Sequence, residues 1–389
     1  MTRTYVLMQN LKRNPLRSAL TTAAFAFPMA VFVIALSFVV ALDRMARANE
    51  KDLRLAVHHK TSLLNTLPEG TRRRIETLDP TGERIVAVCG MRWYGGRVPN
   101  TQNTLQSLAA DTDTFPVVYS RIGMTDEEIG EWQRDRRAAV VGLGTAEKYG
   151  WKRGDRVVLE STVPPYLQLE FRLIKIMPDP EQATFFFLRR DYLEESLKAA
   201  GASDPRCNIF WVKCRSAAAM RSLQTEIDAL FANSPDETKS EDENALIATF
   251  TQAVGDIPSL MKAMALVVVL VIALVAGNTM MMSFRERTRE LAVFKAIGFQ
   301  SRRIFVIVLA ESLMLAWIGA VLGIVPTAVL LAFVPLRRME FGAIAGLEVS
   351  FAAVAGSLAI ATAVGLAAGL WPAWQAMRLR TVDALRNVG

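Results

Sequence analysis

At 389 residues the chain is long enough for two or three domains, and 51% of it is apolar. Its net charge of +7 invites a nucleic-acid reading, but the distribution of that charge excludes it: the segments 1–18, 285–303 and 378–389 hold 13 basic and 3 acidic residues, whereas 43–262 holds 30 basic and 32 acidic. Charge concentrated in three short segments between long apolar runs is the pattern of a membrane protein, with the basic side facing the cytoplasm.

Residues 1–18 carry Arg3, Lys12, Arg13 and Arg17 and no acid. Tyr5, Met8 and Leu11 recur at a spacing of three before Asn14-Pro15 breaks the pattern, so the segment reads as a short interfacial helix or as a plain basic tail. The charge-free run 19–42 is the first expected span; it exceeds the roughly 7–15-residue apolar core of a cleaved signal peptide and reads as an uncleaved helix. Residues 43–56 remain helix-compatible and highly charged, as do 240–254, so each neighbouring span is expected to continue as a stalk.

The segment 43–262 reads as a mixed α and β domain. Strands are expected at 84–88, 138–141, 156–159, 184–188 and 209–212. Leu167, Leu169, Phe171 and Leu173 alternate with polar residues, the period of a half-buried strand. Helices are expected at 191–200, ending at Gly201, and over Met220, Leu223, Ile227, Leu230 and Phe231. Cys207 and Cys214 would lie about 20 Å apart on one extended strand, too far to bond; a pairing of Cys89 with either stays open. His58 and His59 have no companion ligands at metal spacing and read as surface residues.

Three further apolar runs follow: 263–284, 304–336 (broken only by Glu311) and 349–377, each long enough for the roughly 30 Å hydrocarbon layer. The loop 337–348 balances Arg337 and Arg338 against Glu340 and Glu348. Four spans place both termini on one side, and the charge count places that side in the cytoplasm. The expected fold is therefore an α-helical membrane protein with four transmembrane helices and an α+β extracytoplasmic domain inserted between helices 1 and 2. Its parts are the interfacial segment 1–18, the spans 19–42, 263–284, 304–336 and 349–377, the outer domain 43–262, the cytoplasmic loop 285–303, the external loop 337–348 and the tail 378–389.

No phosphate-binding loop, His-Glu-x-x-His or Gly-x-Ser-x-Gly is present, so no cofactor is assigned to the chain itself. Glu311 is the only ionisable residue inside a run; it sits about 12 Å along the helix from Arg303, a possible partner alongside neighbouring helix ends. Gly319 with Gly323, and Gly365 with Gly369, form small-xxx-small pairs suited to close helix packing. In 283–300, Leu291, Phe294 and Ile297 form an apolar stripe on a short helix that Gly298 can end, a shape suited to docking on a soluble partner.

That segment resembles the MacB/FtsX-like permeases of ABC transporters, whose second and third spans are joined by Glu-Arg-Thr-Arg-Glu, then Lys/Arg-Ala-x-Gly. Here these are Glu286 to Glu290, Lys295-Ala296 and Gly298. Glu311, Gly319 and Gly323 match the family's next helix, and Pro372-Ala373, Ala376 and Ala384-Leu385-Arg386 match its end. Asn10-Leu11 with Arg17, and Val140-Val141-Gly142 through Gly150 to Gly154-Asp155, resemble its opening and part of its outer domain. Phe294-Lys295 stands where many members have Ile-Arg.

The resemblance implies a stand-alone permease subunit without its own ATPase. It would pair with a second permease copy, as a homodimer or with a sister chain, and with two copies of an ABC ATPase that bind ATP and Mg. Arg285, Glu286, Arg287, Thr288, Arg289, Glu290, Leu291, Phe294, Lys295 and Gly298 would form the ATPase-coupling helix. ATP-driven movement would pass to the outer domain, a mechanism called mechanotransmission. The machine would export or extract a lipid, lipoprotein, peptide or drug from a bacterial inner membrane, with a periplasmic adaptor as a further partner. Within the insert, a membrane-near α/β part (about 57–120 and 186–240) would flank a β-rich part (about 121–185). Two readings stay open beside this one: an FtsX-like signalling subunit that regulates envelope hydrolases, and a receptor or anchor without an ATPase.

Overall fold

In the computed structural model the described residues are 15–50, 52–178, 183–202, 205–246, 257–333 and 349–378. The expected interfacial segment before Pro15, the external loop 337–348, the tail beyond Arg378 and residues 247–254 of the second expected stalk lie outside them. The chain divides into two compact units: a helical one and the insert from residue 42 to before 256.

The described residues begin on helix α1 (Pro15–Glu50). The insert then runs through β1 (Arg54–His59), β2 (Leu67–Pro68), α2 (Gly70–Glu76), β3 (Ile85–Trp93), β4 (Gly96–Arg97) and β5 (Gln106–Ala110). Next come α3 (Phe115–Val118), a 3-10 turn at Ser120–Ile122, α4 (Asp126–Arg134), β6 (Ala138–Gly142), α5 (Leu143–Tyr149), β7 (Arg156–Ser161) and β8 (Gln168–Met177). It closes with β9 (Phe185–Arg189), α6 (Arg190–Ala199), β10 (Arg206–Cys207), β11 (Ile209–Cys214), α7 (Ala217–Phe231) and β12 (Thr238–Asp242).

Ten of these strands form one sheet in the order β12-β1-β11-β3-β5-β9-β6-β8-β7-β4. The pairs β5–β9 and β6–β8 are parallel and the others antiparallel. Successive side chains of a strand point to opposite faces, and the cores follow that rule. Ala56, Met91, Trp211, Val140 and Phe187 line one face, beneath Phe115, Tyr119 and Trp132. The opposite face carries two cores: Leu55, Val57, Phe210 and Val212 under Leu223, Ile227 and Phe231 of α7, and Val141, Leu159, Phe171 and Phe186 under Leu193 and Leu197 of α6. A single sheet thus runs through strands from both flanks and the middle of the insert.

The strands expected from 84 to 212 are β3, β6, β7, β8, β9 and β11, and the two expected helices are α6 and α7. Three readings need correction. The helix-compatible run 43–56 is helical only to Glu50, because Arg54–His59 pairs on both sides as β1. Thr238–Asp242 is an edge strand, although 240–254 read as a stalk helix. His58 is not a surface residue: it is buried, and its Nε2 lies 3.1 Å from Glu241 Oε1. Cys89, Cys207 and Cys214 are each free and buried.

Among the described residues, the helical unit contains three helices long and apolar enough to cross a membrane: α8 (Ile257–Ala296), α9 (Ser301–Phe333) and α10 (Phe351–Arg378). The first expected span lies within α1, whose described apolar stretch is Phe25–Ala41. Phe25, Met29 and Val33 of α1 share one core with Ile272 and Ala276 of α8, Ala316, Ala320 and Ile324 of α9, and Ala361 and Val364 of α10. Ala276, Ala316, Ala320 and Ala361 sit among its larger side chains, and small residues of this kind let helix backbones approach closely in lipid.

Candidate functional site

The motif segment is not a separate short helix. It forms the last turns of α8, which runs unbroken from Ile257 to Ala296, about 60 Å at 1.5 Å per residue. The sequence Arg-Glu-Arg-Thr-Arg-Glu-Leu-Ala-Val-Phe-Lys-Ala contains no helix breaker and allows ion pairing between successive turns, as in Arg287 Nε to Glu290 Oε2 at 3.3 Å. The Thr288 hydroxyl donates to the Phe284 carbonyl at 3.0 Å.

The helix ends in a Schellman turn. The Phe299 N–H donates to the Phe294 carbonyl and the Gly298 N–H to the Lys295 carbonyl, both at 3.0 Å. The two phenylalanine rings close over the turn with centroids 5.4 Å apart. Gly298 has φ +100° and open space around it, so only the backbone conformation opposes a side chain there. Gly298→Ala is expected to cost about 1 kcal/mol, read as a small fall in the thermal midpoint of the detergent-solubilised chain.

Three contacts tie this end of α8 to the other helices. Arg287 Nη1 reaches both oxygens of Glu311 on α9, at 2.8 and 2.5 Å. Glu311 therefore pairs with α8 and not with Arg303, for a geometric reason: in an antiparallel helical hairpin, residues equally far from the turn lie level, and 287 and 311 stand 11 and 13 positions from Gly298. Lys295 Nζ donates to the Met377 carbonyl at 2.7 Å, in the last turn of α10, where a cation also meets the negative end of the helix dipole. Burial pulls the Lys295 pKa down. Leu291 is 5% exposed and packs with Ile304 and Ala376, with Phe294 half-buried beside them.

Leu291 and Phe294, expected to face a partner, thus pack inside the chain. The outward surface of the turn is Val293, Ile297 and Phe299, with Arg302 and Arg303 exposed beside them; Ile297 is 71% exposed. Arg285 and Glu286 are exposed one face away. Arg289 lies on the helix, its side chain outside those described.

The glycine pairs sit at helix crossings. A side chain at Gly319 would strike Phe25 Cβ, and one at Gly323 would meet the Ala26 carbonyl oxygen at 2.7 Å. A Cβ added at Gly365 would lie 2.8 Å from Ala316 Cβ, and one at Gly369 2.6 Å from Ser312 Cβ. The Ser312 hydroxyl donates to the Gly365 carbonyl at 2.7 Å.

In the insert, the structure shows a constellation that sequence reading did not find. Arg54 is buried at the start of β1, with its Nη2 at 3.0 Å from Asp52 and 2.6 Å from Glu243, and its guanidinium stacked 4.3 Å over Tyr119. Asp52 and Glu243 are 191 residues apart yet share one cation, so the two ends of the insert are fastened together. The signal available in sequence was weak: two acids just inside the boundaries and one arginine in an apolar strand.

A unit of helices long and apolar enough to cross a membrane, interrupted after its first helix by a large α/β insert, defines the class, a polytopic membrane protein with a large inserted domain. Residues 262–381 match the family of FtsX-like permease C-terminal domains. Over its C-terminal third the chain is thus similar to the MacB/FtsX-like permeases. It is 25% identical over 306 residues to an ABC transporter permease of Methanocaldococcus jannaschii, covering 76% of this chain and 74% of that one. It is 36% identical over 113 residues to the ABC transporter permease YvrN of Bacillus subtilis, covering 28% and 25%. It is 28% identical over 152 residues to the macrolide export ATP-binding/permease protein MacB of Syntrophobacter fumaroxidans, covering 39% of this chain and 21% of that protein. The chain therefore spans a fifth to a quarter of the length of the latter two relatives. The extracellular domain of the ABC-type transporter YknZ from Gram-positive bacteria aligns with 48% of this chain and 99% of its own length, at 12% identity and a TM-score of 0.35.

Proposed function

We propose that the chain is the membrane-spanning subunit of an ABC transporter, and that it passes the work of a separate ATPase to an extracytoplasmic domain. In this reading α1 supplies a fourth span, the basic loop 285–303 faces the cytoplasm, and the insert lies outside. Two permease copies associate with two ATPase subunits, which hold ATP and Mg. The cargo class is a lipid, lipoprotein, peptide or drug.

One observation carries the reading. The exposed turn Val293–Phe299 ends an unbroken helix and is fastened to α9 by Arg287–Glu311 and to α10 by Lys295–Met377. A force on that turn would be shared by three helices at once. Within the insert, Arg54 holds Asp52 and Glu243 together, so that domain would receive a movement as one body.

The test separates docking from folding. Purified from its native membrane, the chain should bring an ATP-hydrolysing protein with it. Ile297→Asp should weaken that association about 30-fold, by about 2 kcal/mol, with the chain's yield and melting unchanged. Leu291→Asp should lower the yield of the chain itself, because it places a charge in a packed site. Co-purification unaffected by Ile297→Asp, or no ATPase with the unaltered chain, would sink the coupling role.

A further inference from the structure

Helix α8 buries one side and exposes the other. Ile272, Ala276 and Met280 are buried against the other helices. Met264, Val267, Val271, Leu274, Asn278 and Met282 are all exposed, at steps of three, four, three, four and four. At 100° per residue these six fall within one stripe, centred opposite the buried side. Alternating steps of three and four are the seam of a left-handed helix pair.

Asn278 lies on the midline of this stripe, four residues from its Met282 end. It is about 7 Å along the axis from the midpoint of the apolar segment Ser259–Thr288, at 1.5 Å per residue. Its side chain is exposed, and among the described residues no hydrogen bond to its amide is found. At that depth there is no water to satisfy a donor and an acceptor, so an amide turned toward lipid is costly. An apolar stripe alone would suit acyl chains; the amide on its midline does not.

We infer that the outward stripe of α8 packs against the same stripe of a second copy, with Asn278 facing the Asn278 of that copy across a two-fold axis. An asparagine side chain offers both a carbonyl acceptor and an amide donor, so two of them related by symmetry satisfy each other with a reciprocal pair of hydrogen bonds. A lone asparagine in such a seam also fixes register, since sliding by one turn would leave both amides against apolar side chains. No carboxylate or base lies in the stripe between Met264 and Met282, so nothing repels a second copy. This rests on the two-copy reading of the permease and adds the surface and the register.

The experiment is disulfide cross-linking of the full chain in native membranes, with its size in lipid nanodiscs measured separately. The unaltered chain, whose three thiols are buried, is the blank. Leu274→Cys and Asn278→Cys are expected to give a product of twice the chain's mass on mild oxidation. Leu266→Cys, exposed but about 120° around the helix from the midline of the stripe, is expected to give none. Asn278→Leu should weaken association about 3- to 15-fold, and Asn278→Gln should restore most of it. A nanodisc dimer that cross-links through Leu266→Cys and not through Leu274→Cys or Asn278→Cys would overturn the assigned surface and leave the two-copy reading standing. A product whose partner is a different polypeptide would overturn the self-pairing. A chain that is monomeric in nanodiscs would overturn both.

Discussion

Arg190→Met is expected to destabilise the α/β insert by about 3–5 kcal/mol. Arg190 opens α6 and is nearly buried. Its Nε pairs with Asp111, and its Nη1 lies 2.7 Å from Glu69, 3.1 Å from Glu194 and 3.0 Å from the Cys207 sulfur. Asp111 also accepts from Arg72 at 2.9 Å and from the Gly90 N–H at 2.6 Å. Removing Arg190 leaves the buried Asp111 carboxylate with Arg72 as its remaining ion-pair partner, beside the partly exposed Glu69 and Glu194. Urea titration of the full chain in nanodiscs, followed by protease cleavage of the insert, should show the midpoint falling. The exposed pair Arg136–Glu195 is the contrast, where Arg136→Met should change stability by less than about 0.5 kcal/mol.

The pH dependence of that variant has a defined sign. Burial raises the Asp111 and Glu194 carboxyls above their ordinary values, while Arg190 pulls both back down. A carboxyl raised on folding binds its proton more tightly in the native state. It therefore favours the fold at low pH and loses that contribution as pH rises through its folded value. Without Arg190 both carboxyls rise further. The deficit of Arg190→Met should thus be largest at neutral pH and shrink on acidification toward pH 5. A deficit that stays constant over that range would show that lost packing, and not unpaired charge, is the cause.

This cluster marks the limit of what the sequence made legible. The apolar runs of α8, α9 and α10 were readable because membrane spans need long charge-free stretches, and strands such as β8 because their side chains alternate. The motif from Glu286 to Gly298 was readable because it is contiguous. Contacts between distant segments were not. Nothing in the local pattern around Arg190, Asp111 and Glu69 brings positions 190, 111 and 69 together, because their adjacency is a product of sheet order. Likewise β1 was hidden, since Arg54–His59 follows a helix with no turn signal and mixes arginine and histidine with three apolar residues. The partner of Glu311 was recoverable in principle: counting outward from Gly298 would have favoured Arg287 over Arg303.

The direction of Leu291 shows a second kind of limit. A stripe at helical spacing says that one face is apolar, not what that face meets. Leu291, Phe294 and Ile297 share spacing, yet the first packs under Ile304 and Ala376, and the last is exposed. The difference arises because α8 continues straight into the motif, so residues one turn from the end lie beside the other helices and residues at the turn lie beyond them.

Gly323→Val is expected to disrupt the packing of α1 on α9, at a cost of about 3 kcal/mol. A Cβ at this position would lie 2.7 Å from the Ala26 carbonyl oxygen, 3.0 Å from the Ala30 nitrogen and 3.0 Å from Met29 Cβ. Two of those three atoms are backbone, so no rotamer change in α1 relieves the clash, and the helices must separate. Separation opens the core that Phe25, Met29 and Val33 share with Ala316, Ala320 and Ile324. The Gly319 crossing lies one turn away against Phe25 and would be strained in the same sense. The measurement is the thermal midpoint of the full chain in detergent. The midpoint should fall by several degrees. Gly277→Val is the control: Gly277 has open space around it, and its substitution should leave the midpoint nearly unchanged. Equal tolerance of valine at 323 and 277 would show that the first helix does not pack on α9 through its glycines.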